Sequence, residues 1–223
     1  DTGILVQAVD STIGRYKIQL SKNRTAWLQK ANFQKVNSIK IEPYYLTSSF
    51  FINGDDKYDL VSISLDEKLP YTSIQQIYPS RIVVDIFGAT SNTNWVTHRT
   101  SAKEIKNVYH EQVEDDVFRV IIELKHKQHW GYSIYYEGKK LFIKVKRQPE
   151  DLSLENMKIA IDAGHGGIDS GMVGIEGLKE KGINLEIAIK LKAVLEKRGF
   201  TVMMTREEDK GLYKDNTQNM KAQ

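Results

Sequence analysis

The chain has 223 residues, 40% hydrophobic and 27% charged, with a formal net charge of +3 and no cysteine. This balance describes a folded protein of roughly one large or two to three small domains rather than a disordered one, and it excludes disulfides and cysteine-ligated zinc. So small a positive charge gives no argument for nucleic-acid binding, and no apolar run is long enough to span a membrane. The first residue is Asp1 rather than Met and no signal peptide is visible, so the N-terminus does not decide export.

Residues 1–36 predict short strands over Ile4–Val9, Arg15–Leu20 and Thr25–Leu28, broken at Asp10-Ser11 and Lys22-Asn23. The segment GRYKIQLSKNRTAWLQKANF, with Trp27 after a short hairpin, resembles the closing part of a small bacterial SH3-type barrel. A piece this short lacks the core to fold alone. It is expected to be either part of a barrel or a strand extension of the β zone on its C-terminal side.

Residues 37–148 predict a second all-β zone. Asp59–Leu65, Val117–Leu124 and Leu141–Val145 alternate apolar and polar residues, whereas Arg81–Phe87 is nearly continuously apolar around Asp85. Turn signals stand at Asn53-Gly54-Asp55-Asp56, Gly88-Ala89 and Glu137-Gly138. Short strands at this spacing suggest a β-sandwich. Lys139, Lys140, Lys144, Lys146 and Arg147 crowd one segment and read as a solvated strand edge rather than an anion patch.

Residues 149–156 form a polar linker opened by Pro149, after which the pattern changes. Lys158–Asp162 reads as a buried strand. Asn184–Arg198 predicts a helix, with Leu185, Ala188, Leu191 and Leu195 on one stripe widened by Ile187 and Val194. Asn184 is the expected N-cap and Gly199 the left-handed stop. Phe200–Thr205 predicts a second strand. A strand–helix–strand order implies a parallel pair, with the functional loop at the carboxyl ends of the strands, where Asp162–Gly167 lies.

That loop reads Asp162-Ala163-Gly164-His165-Gly166-Gly167, and Glu180 follows at the mouth of the helix. A hydrolytic zinc ion needs three protein ligands and an open position. An imidazole in a glycine-rich turn and a returning carboxylate are plausible as half of such a set. Glu176 is a rival to Glu180, and Asp162 reads as turn-stabilising. A glycine-rich turn can also cradle phosphate, but the spacing here matches neither the P-loop nor the dinucleotide fingerprint. His126 and His129 are expected to lie in a solvated loop. Most of the aromatics, Tyr44, Tyr45, Tyr71, Trp95, Trp130, Tyr132 and Tyr135 among them, are expected to be ordinary strand residues rather than sugar-stacking platforms.

Two resemblances sharpen this reading. LPYTSIQQIYPSRIVVDIFGA, IKNVYHEQVEDDVFRVIIELK and the closing LFIKVK resemble an AMIN domain, the β-sandwich targeting module found ahead of cell-wall amidases. IDAGHGGIDSG, followed by GLKEKGINLEIAIKLKAVLEKRGFTVMMTREED, resembles the opening of zinc-dependent N-acetylmuramoyl-L-alanine amidases. Together they imply a mixed architecture. Partial SH3-like strands (1–36) and an AMIN-type β-sandwich (37–148) precede, after the linker, the first βαβ portion of an α/β amidase domain (157–223).

The amidase resemblance implies Zn2+ held by His165 and Glu180, peptidoglycan as partner, possible dependence on an envelope activator, and a periplasmic or cell-envelope location. The family's later histidine ligand and general-base glutamate would fall beyond Gln223. The chain as written is therefore expected to bind zinc weakly and to lack activity by itself. The His98, His110, His126 and His129 side chains do not fill the missing place by family position. Thr205-Arg206 and Asp209 match a family motif and read as structural. The reading from another class is a non-catalytic wall-binding module with an inactive amidase stub, and a weaker one is a purely structural β protein.

Overall fold

The computed structural model describes residues 3–36, 41–42 and 44–211. The predicted amidase segment up to Gln223 therefore has its last residues, 212–223, outside the described residues, as is part of the predicted 37–148 zone at residues 37–40 and 43. The chain divides into two compact units, Asp1–Gln148 and Pro149–Gln223.

Among its described residues the first unit is built of β-strands apart from one 3-10 turn, Lys30–Asn32. Strands β1 (Gln7–Ser11), β2 (Arg15–Ser21) and β3 (Arg24–Gln29) form an antiparallel sheet. Then come β4 (Tyr45–Gly54), β5 (Tyr58–Leu65), β6 (Tyr71–Gln76), β7 (Arg81–Phe87), the short β8 (Ala89–Thr90) and β9 (Val96–His98), β10 (Ile105–Glu114), β11 (Val117–Leu124), β12 (Tyr132–Glu137) and β13 (Lys140–Lys146). One sheet runs β10-β11-β7-β6. The other runs β12-β13-β5-β4-β8, with β9 also pairing β4. Buried residues of both sheets, including Phe50, Ile52, Val61, Ile63, Ile82, Val84, Phe118, Val120, Leu141 and Ile143, form one apolar core. Phe50 and Phe118 meet across it edge to face, 6.0 Å between centroids. Each such side chain gains about 1.5–3 kcal/mol by leaving water.

The continuous apolar run at β7 has a structural cause. Ile82, Val84 and Ile86 face the core, while Val83, Asp85 and Phe87 are buried on the other side. There the N-terminal sheet contributes cover. The Arg24 guanidinium lies over Phe87 at 5.8 Å and contacts Asp85 and Glu114, and the Lys22 backbone N–H donates to Asp116. The three N-terminal strands thus dock on the sandwich by side chains and do not extend its hydrogen-bonded sheets.

The lysine-rich segment corrects the sequence reading. β13 is an interior strand between β12 and β5, not an edge. Its cations are partly committed: Arg147 to Asp59, Lys139 to Glu67 at 3.1 Å, and Lys144 over the Tyr58 ring at 4.0 Å.

The second unit holds β14 (Lys158–Ile161), α1 (Glu180–Lys197) and β15 (Thr201–Met204). β14 and β15 pair in parallel. The helix begins earlier than the sequence predicts: Lys179, not Asn184, is its N-cap. Its end is as expected. Phe200 N–H donates to Leu195 O and Gly199 N–H to Glu196 O, with Gly199 at φ 96°, the paired bonds of a Schellman stop. The buried stripe is narrower than expected. Ala188, with Leu185 and Leu195, packs on Ile159, Ile161, Ala163, Val202 and Met204. Ile187, Leu191 and Val194 remain exposed, because two strands offer too little surface to cover a wider face. No helix among the described residues is long and apolar enough to cross a membrane.

Asp59 is fully buried and accepts from the backbone N–H groups of Lys103, Glu104 and Ile105 and from Arg147 Nε. Asp59→Ala leaves three N–H groups and a guanidinium without their acceptor, so it should cost about 3–5 kcal/mol, measured by urea unfolding. His110 packs against both Phe50 and Phe118, at 5.6 and 5.1 Å, and burial holds its imidazole below the ordinary value of 6.5. Its stabilising effect is complete above 6.5 and declines as the pH falls below it, because the unfolded chain then binds the proton more readily. The urea midpoint should therefore drop on acidification, and less steeply in His110→Phe.

Candidate metal centre

The segment after β14 does not turn directly into the helix. It runs from Asp162 to Lys179 and folds on itself first, with Gly166 and Asp169 exchanging both backbone hydrogen bonds at 3.0 and 3.2 Å. His165 occupies the left-handed region at φ 63°, a conformation in which histidine is less penalised than branched residues. The flanking glycines were expected to make the sharp turn. The histidine shares in making it.

The imidazole, about one-third exposed, sits between two carboxylates. Asp169 Oδ2 is 3.0 Å from Nδ1, and Glu180 Oε2 is 3.4 Å from Nε2. Asp169, and then Glu180, raise the proton affinity of His165 above its ordinary value. Glu180 is the first helical residue, and its position is fixed twice by Met172: Glu180 N–H donates to Met172 O at 2.9 Å, and Met172 N–H donates to Glu180 Oε2 at 2.8 Å. Gly171, at φ 61°, forms the floor. A Cβ there would stand 2.7 Å from both Glu180 Oε2 and His165 Cδ2.

The loop is braced from behind. Arg206, almost fully buried, donates from Nε to Ala163 O and from Nη2 to Gly164 O and Lys181 O. Thr205 Oγ1 donates to Asp162. Asp209 accepts from Gly167 N–H and pairs with Lys181 at 2.6 Å, and Lys181 also donates to Gly167 O. The Lys181 ammonium, followed by the Gly167 N–H, holds the Asp209 carboxyl below the usual carboxylate range. Asn184, expected to cap the helix, instead donates from its side chain to Gly164 O at 3.3 Å.

Of the residues singled out in the sequence, the fold brings His165 and Glu180 together. Glu176 lies on an exposed 3-10 turn, Ile175–Gly177. His126 is paired with Glu104 and His129 with Ser80 in the first unit. Among the described residues no three His, Asp or Glu side chains converge on one point, since Asp169 faces the opposite nitrogen of the imidazole from Glu180. Asp169 escaped the sequence reading, although its spacing of four from His165 within a turn was available as a signal. The phosphate alternative loses its basis, because a long loop separates the glycine turn from the helix and the helix opens on a carboxylate.

Comparison with known proteins finds two family matches along the chain. Residues 159–223 match the family described as N-acetylmuramoyl-L-alanine amidase, and residues 50–145 match the AMIN domain. The germination-specific N-acetylmuramoyl-L-alanine amidase of Bacillus subtilis is 41% identical over 70 residues, 31% of this chain and 29% of that protein. The N-acetylmuramoyl-L-alanine amidase AmiC of Escherichia coli O6:H1 is 50% identical over 52 residues, 23% of this chain and 12% of its own length. A Staphylococcus saprophyticus protein named "Probable cell wall amidase LytH" is 25% identical over 190 residues, 82% of this chain and 58% of that one. The chain thus spans less than two thirds of each of these relatives.

Gly171→Ala tests the floor of the pair. The left-handed backbone alone should cost about 1–2 kcal/mol, and the added methyl should push His165 and Glu180 apart. Amides of residues 163–172 should then exchange hydrogen faster than in the wild type. By these matches residues 50–145 are similar to an AMIN domain and residues 159–223 to the N-acetylmuramoyl-L-alanine amidase family.

Proposed function

We propose that this chain forms the wall-binding part and the first half of the zinc centre of a peptidoglycan amidase. The bond cut joins the lactyl group of N-acetylmuramic acid to the L-alanine of the stem peptide. The observation that carries this reading is the 3.4 Å separation of His165 Nε2 and Glu180 Oε2. Two donors bound to one tetrahedral zinc at about 2.0–2.1 Å stand about 3.3–3.4 Å apart, so the pair has the spacing of one edge of such a site. The donor set, an imidazole nitrogen and a carboxylate oxygen, suits the ion. The side-chain-free surface of Gly171 leaves the two donors undisturbed.

Zinc, when held there, supplies Lewis acidity that polarises an amide carbonyl and acidifies water. The remaining work falls to the protein. His165 presents a lone pair from a turn locked by Arg206, and Glu180 presents an oxygen oriented by the Met172 N–H. In the proposal for the whole protein, a further histidine and a glutamate that carries the proton to the leaving amine complete the site. The AMIN match supports peptidoglycan as the ligand of the sandwich and the cell envelope, including the periplasm, as the location. An envelope activator fits the same reading. A second reading, a wall-binding module without catalysis, fits a donor set that does not reach three among the described residues.

Titration of the chain with zinc by calorimetry should show a single bound ion, absent in His165→Ala and weaker in Glu180→Gln. In protein expressed from its native gene, His165→Ala should abolish release of stem peptides from purified sacculi, read by mass spectrometry, while co-sedimentation with the sacculi persists. Undiminished release in that variant sinks the enzymatic reading. Co-sedimentation with no release by the unaltered protein favours the second.

A further inference from the structure

We propose that Asp169 is a positioning residue for the metal centre: it holds the proton of His165 on Nδ1 and thereby directs the bare Nε2 toward Glu180. This rests on the zinc reading above. A neutral imidazole carries one N–H, and the hydrogen bond at one nitrogen decides which nitrogen is left to bind a metal. Here the two nitrogens face different oxygens, Nδ1 toward Asp169 at 3.0 Å and Nε2 toward Glu180 at 3.4 Å. The shorter contact has hydrogen-bond length, and the longer has the spacing of two donors to one cation.

The Asp169 carboxylate is itself held in place. Its Oδ1 accepts from Gly171 N–H at 3.0 Å, and its backbone exchanges hydrogen bonds with Gly166 in both directions. Both oxygens and the main chain of Asp169 are therefore committed within the turn that carries His165. The arrangement matters because His165 lies on neither a helix nor a strand, so the orientation of its ring depends on its side-chain partners. Without the carboxylate, the imidazole can rotate or carry its proton on Nε2. That proton would point at Glu180 and occupy the lone pair a cation requires. Gly171 links the two carboxylates. Its N–H orients Asp169, while its missing side chain makes room for the His165–Glu180 contact.

The test compares the full chain with Asp169→Asn and Asp169→Ala, using two measurements. Nitrogen-15 spectra of the imidazole in metal-free protein, above the pH at which His165 loses its extra proton, report the tautomer. The unaltered chain should show the Nδ1–H form, and Asp169→Ala should shift toward Nε2–H. Calorimetric titration with zinc alone should show affinity falling about 10–100-fold in Asp169→Ala. Asp169→Asn keeps the size of the side chain and preserves the fold if alanine does not. It should also lose affinity, because its amide can turn its NH2 group toward Nδ1 and favour the other tautomer. An Nε2–H tautomer in the unaltered chain, or equal zinc affinity in all three proteins, overturns the role given to Asp169 and leaves the zinc reading standing. Failure of the unaltered chain to bind zinc overturns both.

Discussion

The second unit depends on one buried guanidinium. Among the described residues its apolar core is small: Ile161, Ala163 and Ala188 are buried, with a few partly covered neighbours. Burial on that scale cannot hold a loop running from residue 162 to residue 179 against the entropy of its backbone, at about 1–2 kcal/mol per residue. Arg206 supplies what the core lacks. It gathers the carbonyls of Ala163, Gly164 and Lys181, which belong to the strand end, the loop and the helix start. Hydrogen bonds from a charged donor contribute about 1.5–3 kcal/mol each, so these three offset part of that cost, and the bonds between Gly166 and Asp169, between Glu180 and Met172, and from Gly167 N–H to Asp209 add to them. The histidine and the glutamate meet because the backbone on either side of them is held by the same planar group.

The first unit uses the same chemistry for a different end. Asp85 interrupts an apolar strand and would be costly if unpaired. Arg119 stands opposite it in the register of β11 and binds both its oxygens, at 2.7 and 2.9 Å, and Arg24 approaches from the N-terminal sheet. Asp59 likewise gathers the backbone N–H groups of residues 103 to 105 and the guanidinium of Arg147. In both cases a buried charge joins segments distant in sequence. An apolar side chain would fill the space but would leave the register and the loop path unspecified.

This explains what the sequence discloses and what it hides. Strands β7 and β11 carry their limits in their composition, and the predicted bounds Arg81–Phe87 and Val117–Leu124 coincide with the observed ones. The parallel pair follows from the strand–helix–strand order. The helix start is hidden, because Glu180, Lys181 and Gly182 carry no apolar periodicity and no capping side chain. What starts the helix is a bond from Glu180 N–H to a loop carbonyl, which no local pattern records. The same holds for β13. Its lysines suggest an edge, yet its alternate Leu141, Ile143 and Val145 are fully or almost fully buried in the centre of a sheet. His165 and Glu180 are legible by residue type and resemblance. Asp169 is legible only as a carboxylate four residues from His165, and which ring nitrogen it faces is set by the folded turn.

Two carboxylates around one imidazole also define the charge the site prefers. Asp169 and Glu180 both favour a proton on His165, so the local field is negative and stabilises any cation placed there. A proton satisfies that field only in part, since one imidazole accepts a single extra charge, and the Glu180 oxygen remains 3.4 Å away. A divalent ion would draw both donors at once, and the ligand must then be the neutral ring. The orientation of Asp169 resolves the conflict between these occupants. On the proposal made for Asp169, the ring proton is held on the far nitrogen and the near one is unprotonated, so the negative field and the lone pair act in the same direction.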